Sequence, residues 1–97
     1  MPLLLRPSYN ARVVAFSDID TRHRRTRYWA ERWGEDFSPN VQFSQVVVCE
    51  VPDEAGVHLL CLASSGAVVF SSAFETVEEA KAEIEAEFLG LHATWQV

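Results

Sequence analysis

The chain has 97 residues, of which 48% are apolar and 23% are charged, as is typical of one globular domain and not of a disordered chain. Its net charge of −6 disfavours general affinity for nucleic-acid phosphates. Neither residues 3–5 nor any later apolar run is long enough for a signal-peptide core or a membrane span. The sequence therefore predicts a single domain over residues 1–97 and a soluble, cytoplasmic protein.

The charge is distributed unevenly along the chain. Residues 1–34 contain seven Arg and three acidic residues, whereas residues 35–97 contain only Lys81 against eleven acidic residues. The first part predicts a local basic patch, and the second predicts an acidic surface suited to a basic partner protein.

The first elements in the chain are short. Residues 1–10 contain two Pro, a Ser and an Asn, which predict an irregular lead-in. Residues 11–16 (A-R-V-V-A-F) form a short β-prone run, which predicts a first strand. Asp18 and Asp20 follow as residues typical of a turn or a helix N-cap.

Residues 21–34 are compatible with two structures. Trp29 and Trp33 lie four positions apart, which would place them on one face of a helix. The Thr, Tyr and Trp content of the same segment favours a strand, so the sequence leaves both possibilities open. The polar residues 35–40 predict a loop.

Three β-prone runs follow, separated by short turns. Residues 41–51, 57–63 and 67–74 are bounded by Pro-Asp-Glu-Ala-Gly and Ser-Ser-Gly, which are turn compositions. Adjacent strands with such short connections predict an antiparallel meander.

Residues 76–89 carry the strongest helix signals. Thr76 followed by Glu79 forms a capping box, and Gly90 follows the predicted last turn. An apolar stripe at helical spacing, which should pack on the sheet, consists of Val77, Ala80, Ile84 and Phe88. The fold class predicted is α+β, with an antiparallel sheet of three to five strands and this C-terminal helix on one face.

The strand register can be predicted by placing Val51 opposite Val57 and Ala63 opposite Val68. Because side chains alternate along a strand, the face that receives the helix would carry Val47, Cys49, Val51, Val57, Leu59, Cys61, Val68 and Phe70. The other face would carry Val46, Val48, Glu50, His58, Leu60, Leu62, Val69 and Ser71. This second face is too apolar for solvent, so we expect either the Trp-bearing N-terminal segment or a second copy, in a homodimer, to cover it.

Catalytic and metal-binding patterns are weak in this sequence. Asp18, Asp20 and His23 form D-x-D-x-x-H, a spacing compatible with a hard cation but equally with turn and cap residues. His58 is expected opposite Glu50 on the sheet. No hydrolase, nucleotide-binding or zinc motif is found, so we predict no catalytic residue, metal or cofactor.

The two cysteines are predicted to be structural. Cys49 and Cys61 form no C-x-x-C pair, and apolar surroundings favour buried, inert thiols. The register above places both on the same sheet face.

Two residue sets remain as candidate binding surfaces. The acidic set, predicted to contact a basic partner protein, is Glu78, Glu79, Glu83, Glu85 and Glu87. The alternative set combines guanidinium groups with rings that stack on bases and consists of Arg22, Arg24, Arg25, Arg27, Trp29, Arg32 and Trp33.

Two blocks of the sequence carry a family resemblance. F-S-D-I-D-T-R-H-R (16–24) and H-L-L with V-F-S-S-A-F-E-T-V-E-E-A-K-A-E-I-E-A-E-F (58–60, 69–88) resemble small, mostly uncharacterised bacterial proteins of about this length. In those proteins a strand pair precedes an acidic helix that ends in an E-F-G-like step, here lengthened to E-F-L-G (87–90). The resemblance implies the same fold, and many small acidic bacterial proteins are immunity proteins or antitoxins.

Together these observations predict a non-enzymatic protein-binding domain, such as a toxin-neutralising immunity protein or a small regulator acting through its acidic surface. The alternative is a nucleic-acid-associated regulator that uses the Arg/Trp segment 22–33.

Overall fold

A computed structural model of the chain describes residues 3–5, 10–34 and 43–97. Their strands are β1 Arg12–Asp18, β2 Arg24–Arg25, β3 Gln45–Glu50, β4 Val57–Leu62, β5 Val68–Phe74 and β6 Phe88–Leu89. Their helices are α1 Tyr28–Trp33 and α2 Val77–Glu87, followed by a 3₁₀ turn at Leu91–Ala93. Strands β1, β3, β4 and β5 form an antiparallel sheet in that order, and β2 pairs with β6. The predicted α+β class, with the C-terminal helix packed on an antiparallel sheet, is confirmed.

Several predicted boundaries lie outside the described residues. This applies to the loop 35–40, to the first two residues of the strand predicted at 41–51, and to most of the lead-in 1–10. The segment 21–34 combines both structures that its sequence allowed, because β2 is followed directly by α1.

Helix α2 begins as predicted and ends two residues early. The Thr76 hydroxyl accepts the Glu79 backbone N–H at 3.1 Å, and Ala80 and Ile84 are fully buried. At Phe88 the chain becomes extended and pairs with β2. The predicted role of Gly90 as the helix stop is therefore wrong; with φ 89° it begins the 3₁₀ turn instead.

The register predicted for the first hairpin is wrong by one residue. Val48 lies opposite Leu59 and Cys49 opposite His58, since the connection from β3 to β4 holds one residue more than the sequence suggested. A one-residue slip exchanges the faces of a whole strand. The predicted pair of His58 with Glu50 is therefore also wrong, and Cys49 and Cys61 lie on opposite faces of the sheet.

The second hairpin has the predicted register over most of its length. Val57 lies opposite Phe74 and Cys61 opposite Phe70, as expected. A bulge then places Leu62 opposite Val68, so the predicted pairing of Ala63 with Val68 is wrong.

The core has one layer on each face of the sheet. The helix-side layer contains Trp29, Phe43, Val46, Val48, Val57, Leu59, Cys61, Ala80, Ile84, Phe88 and Leu91. The opposite layer contains Val47, Cys49, Leu60 and Leu62.

The second face of the sheet is covered by residues 4 and 5, for which the sequence predicted only an irregular lead-in. Leu4 and Leu5 pack there together with side chains of β1, and the Leu4 backbone N–H donates to Gln45 Oε1 at 2.8 Å. The prediction that the Trp-bearing segment covers this face is wrong, because Trp29 packs on the helix side against Phe70. Within the described ranges, no helix is long and apolar enough to cross a membrane.

Candidate functional site

In the C-terminal half of α2, the side chain of Glu87 lies in the core. Glu87 is only 1% exposed; it accepts the Arg25 Nε–H at 2.6 Å and the Trp29 backbone N–H at 2.9 Å. The Arg25 guanidinium also lies over the rings of Phe43 and Phe88, at 5.1 and 5.4 Å from their centroids. Glu87 is therefore a paired internal charge that ties β2 and α1 to α2.

Two further glutamates of this half hold indole rings. Glu83 accepts the Trp29 Nε1–H at 2.9 Å, and Glu85 accepts the Trp95 Nε1–H at 2.8 Å. Both glutamates are half-buried. A buried indole N–H needs an acceptor. These two carboxylates are therefore engaged in hydrogen bonds within the protein and are less available to a binding partner.

The first turn of α2 is different. Glu78 and Glu79 are exposed, and Thr76 caps the turn through the Glu79 backbone rather than its carboxylate. Exposed acids also flank this turn at Glu75 and, across the β3–β4 turn, at Asp53 and Glu54. We call these five residues the acidic end.

Few cations lie near the acidic end in the sequence: Lys81 follows Glu79 by two residues and lies over the Trp95 ring, 5.3 Å from its centroid. Residues 51–80 contain the five acids of the acidic end and no Lys or Arg. The β3–β4 turn reaches the start of α2, since a Cβ on Gly56 would lie 2.4 Å from the Phe74 carbonyl oxygen. This proximity brings the two groups of acids to the same end of the sheet.

An open groove runs through the acidic end. A cavity of about 640 Å³ is lined by Ala55, Gly56, Ala73, Phe74, Glu75 and Glu79. A second, of about 320 Å³, is lined by Tyr28, Phe74, Glu79, Ala82 and Glu83. Phe74 and Glu79 line both. An aromatic floor with a carboxylate rim suits a Lys or Arg side chain, whose apolar stem packs on the ring while its charge meets the carboxylate.

Much of the Arg/Trp segment is occupied within the protein. Trp29 is fully buried, and Arg25 is paired with Glu87. Arg22 forms a bidentate pair with the Asp20 carboxylate, with nitrogen–oxygen distances of 2.9 to 3.2 Å. The structure thus removes the Trp29 ring and the Arg25 guanidinium from the proposed nucleic-acid surface, whereas Arg22 stays exposed but is neutralised by Asp20.

The remaining members of that segment lie at the surface. Arg24 and Arg27 are exposed, and Trp33 is 44% exposed. Arg32 lies over the rings of Tyr28 and Trp33, at 5.0 and 5.5 Å from their centroids. These side chains present positive charge but no row of free aromatic rings.

Asp18, Asp20 and His23 do not converge on one point. Asp18 accepts the Gln45 side-chain amide at 3.0 Å, whereas Asp20 holds Arg22. His23 Nδ1 accepts the Asp20 backbone N–H at 3.1 Å, and its Nε2 lies 2.8 Å from the Thr94 hydroxyl. In the described part of the chain, no three His, Cys, Asp or Glu side chains are grouped to hold a metal.

The exposed Asp20 carboxylate has a pKa that its contacts with Arg22 lower. Hydrogen bonds from the Arg22 side chain and backbone lower the pKa of Asp20 from 3.8 to about 2. The same pairing raises the pKa of Arg22. This turn is a local ion pair, as expected of residues that stabilise a turn.

The cysteines and His58 offer no nucleophile. Burial raises the pKa of Cys49 and of Cys61, so both thiols stay protonated at neutral pH. His58 Nε2 lies 3.6 Å from Glu54, and the Glu50 carboxylate pairs with Arg12 instead.

No family model matches this chain, and neither the curated proteins nor the solved structures yielded a match. The family resemblance drawn from residues 16–24, 58–60 and 69–88 therefore stays a prediction.

Sequence reasoning missed the internal role of Glu87, although the spacing carried a signal. Residues 80, 84, 87 and 91 follow helical periodicity, so Glu87 occupies the position of a core residue on the apolar stripe. A carboxylate on such a stripe requires a buried cation, and the run of Arg at 22–27 supplies it.

Proposed function

We propose that this protein is a non-enzymatic, cytoplasmic protein-binding domain whose acidic end receives a basic segment of another protein. An immunity protein that neutralises a basic toxin is the form of this function that we favour. The observation that carries the proposal is the groove over Phe74, which Glu75 and Glu79 line and which is flanked by the sequence 51–80, where five acidic residues occur without Lys or Arg.

The difference between the two halves of α2 supports placing the partner site at the acidic end. Glu83, Glu85 and Glu87 already accept hydrogen bonds from Trp29, Trp95 and Arg25. Among the described residues, no donor bonds to the carboxylates of the exposed Glu78 and Glu79. Solvation alone does not require an apolar groove beside them. The predicted partner surface therefore contracts to the acidic end and loses Glu87, which cannot reach a partner without unfolding the helix end.

Complementary charge acts mainly on the rate of association. A strongly acidic patch raises the association rate with a basic partner by roughly 10- to 1,000-fold, and salt screens this gain. A lysine stem on Phe74 would add apolar contact that salt does not screen. Binding should accordingly have a salt-dependent association rate and a dissociation rate set largely by the groove.

The nucleic-acid alternative has less support. Stacking on bases requires exposed rings beside cations, and Trp29 lies in the core while Arg25 holds Glu87. Arg24, Arg27 and Arg32 would have to bind phosphates, and Trp33 would have to stack on a base, on a molecule whose net charge is −6.

The test is affinity capture from an extract of the source organism at low ionic strength, using three baits. The first is the wild-type protein, and the second is Glu75→Gln/Glu78→Gln/Glu79→Gln. The third adds the same three units of positive charge elsewhere, at exposed Asn10→Lys/Ser64→Lys/Ala67→Lys. We expect a protein with a basic surface to be captured by the first and third baits and to be lost from the second.

Association rates of the captured protein then complete the test. The acidic-end variant should bind more slowly at low salt, and the difference should disappear at high salt. Equal capture and equal rates for all three baits would contradict the proposal. Loss of binding in both variants would show that overall charge, and not the acidic end, attracts the partner.

A further inference from the structure

The two cavities of the groove over Phe74 differ in the side chains that they offer. The first cavity contains the carboxylates of Glu75 and Glu79, and both residues are exposed. One cation placed there can contact both carboxylates while its apolar stem packs on the Phe74 ring. The first cavity is therefore the place for the lysine or arginine of the proposed partner.

The second cavity is lined by a different set of side chains. Its lining includes the aromatic residues Tyr28 and Phe74 and the small residue Ala82. Glu83 also lines it, but Oε2 of this carboxylate accepts the Trp29 Nε1–H at 2.9 Å. Aromatic rings in a concave site favour another apolar or aromatic side chain as their contact.

A cation of the protein itself already lies beside the second cavity. The Arg32 guanidinium is 5.0 Å from the centroid of the Tyr28 ring and donates a hydrogen bond to the Tyr28 hydroxyl. Because like charges repel, Arg32 opposes a second basic side chain at this position. An uncharged apolar side chain meets no such opposition, and it leaves the hydrogen bond between Glu83 and Trp29 intact.

We propose that the basic segment received by the acidic end carries a large apolar side chain two positions from its lysine or arginine, and that this side chain enters the second cavity. The inference rests on the proposed function, because the first cavity has to place the cation. Phe74 and Glu79 line both cavities, so the two sites adjoin. Side chains two positions apart in an extended segment point to the same side, about 6.6 Å from each other.

The two contacts of such a segment should respond differently to salt. The attraction between its cation and the carboxylates of Glu75 and Glu79 is screened as the ionic strength rises. The burial of its apolar side chain against Tyr28 and Phe74 does not depend on charge. The affinity gained from the apolar side chain should therefore persist in high salt, whereas the affinity gained from the cation should decline.

The test uses three capped peptides: Gly-Lys-Ser-Phe-Gly, Gly-Lys-Ser-Gly-Gly and Gly-Phe-Lys-Ser-Gly. The third has the composition of the first, but it places the ring and the cation on opposite sides of an extended chain. NMR titration of the isotope-labelled protein measures the three dissociation constants. The first peptide should bind about tenfold more tightly than the other two, which is the effect of burying roughly half of a Phe side chain.

Three variants assign this preference to its cavity. Ala82→Phe places a ring in the second cavity and should abolish the preference for the first peptide. Ala93→Phe adds the same ring at an exposed position that lines neither cavity and should retain the preference. Glu75→Gln removes a carboxylate from the first cavity, so it should weaken all three peptides and leave their ratio unchanged.

These measurements separate the inference from the proposed function. Equal affinities of the first two peptides, or of the first and third, would overturn the inference, and so would a preference that Ala82→Phe leaves intact. The proposed function would still stand in those cases if Glu75→Gln weakened the peptides. Absence of binding by all three peptides at millimolar concentration would overturn both.

Discussion

In helix α2, Glu83, Glu85 and Glu87 point toward donors of the protein itself, whereas Glu78 and Glu79 point into solvent. The two halves have the same residue type and belong to the same helix. They differ because Arg25, Trp29 and Trp95 reach only the second half. A glutamate in this protein is structural where a buried donor needs an acceptor, and available for binding where none does.

The largest expected effect comes from removing the cation of the buried pair. Arg25→Met should destabilise the protein by about 3–5 kcal/mol, because it leaves the buried Glu87 carboxylate without its counter-charge. Urea unfolding measures the change. Arg24→Met, one residue away and exposed, should stay within about 0.5 kcal/mol of wild type. Similar losses for both would mean that the pair is not a special contact.

The next effect concerns the Trp29 indole. Glu83→Ala deprives a fully buried N–H of its acceptor, which costs about 1–3 kcal/mol. Glu79→Ala, one helical turn earlier, removes the same carboxylate from an exposed position and should be nearly neutral. Equal urea midpoints for the two variants would contradict the division of α2 into two halves.

A smaller effect is expected at Glu85. Trp95 is only half-buried, so water can partly replace the lost acceptor in Glu85→Ala. The loss should be about 0.5–1.5 kcal/mol, between those of the exposed and the buried glutamates. A loss of unfolding free energy as large as that of Glu83→Ala would show that the exposure of the indole does not determine how much each hydrogen bond contributes.

The smallest effect is at the exposed counterpart of the buried pair, Asp20 with Arg22. The pKa of Asp20 is lowered in the folded protein, so its contribution to stability is complete above its ordinary pKa of 3.8 and is lost as the pH falls toward about 2. The unfolding free energies of wild type and Asp20→Asn should therefore differ by a constant amount at neutral pH and converge over that window. An NMR titration of the Asp20 carboxyl with a midpoint near 3.8 would contradict this pairing.

The sequence predicted the strands and the helix correctly where several local sequence features indicate the same element. The Thr76 capping box, the apolar stripe of α2 and the composition of the turns placed the meander and the helix. These features depend on residues close in sequence, so local physics determines them. The bulge near Leu62 and the length of the β3–β4 turn depend on backbone geometry that composition does not fix, and the one-residue slip of β3 followed.

The candidate site was harder to predict from the sequence, because the role of each glutamate depends on contacts with residues far away along the chain. Five glutamates of α2 look alike in sequence. Which of them are available is decided by Arg25 and Trp29, which are 54 to 62 residues away along the chain. Leu4 and Leu5 likewise resemble an irregular lead-in, and only the sheet shows that they cover its second face.

One measurement tests the division of α2 most directly, by comparing two double variants of equal charge. Glu83→Gln/Glu87→Gln and Glu78→Gln/Glu79→Gln each remove two carboxylates from the same helix. Urea unfolding should show a loss of about 3 kcal/mol or more for the first pair, since Arg25 then lacks its buried partner. The second pair should stay within about 0.5 kcal/mol of wild type. Equal stability of the two double variants would contradict the account.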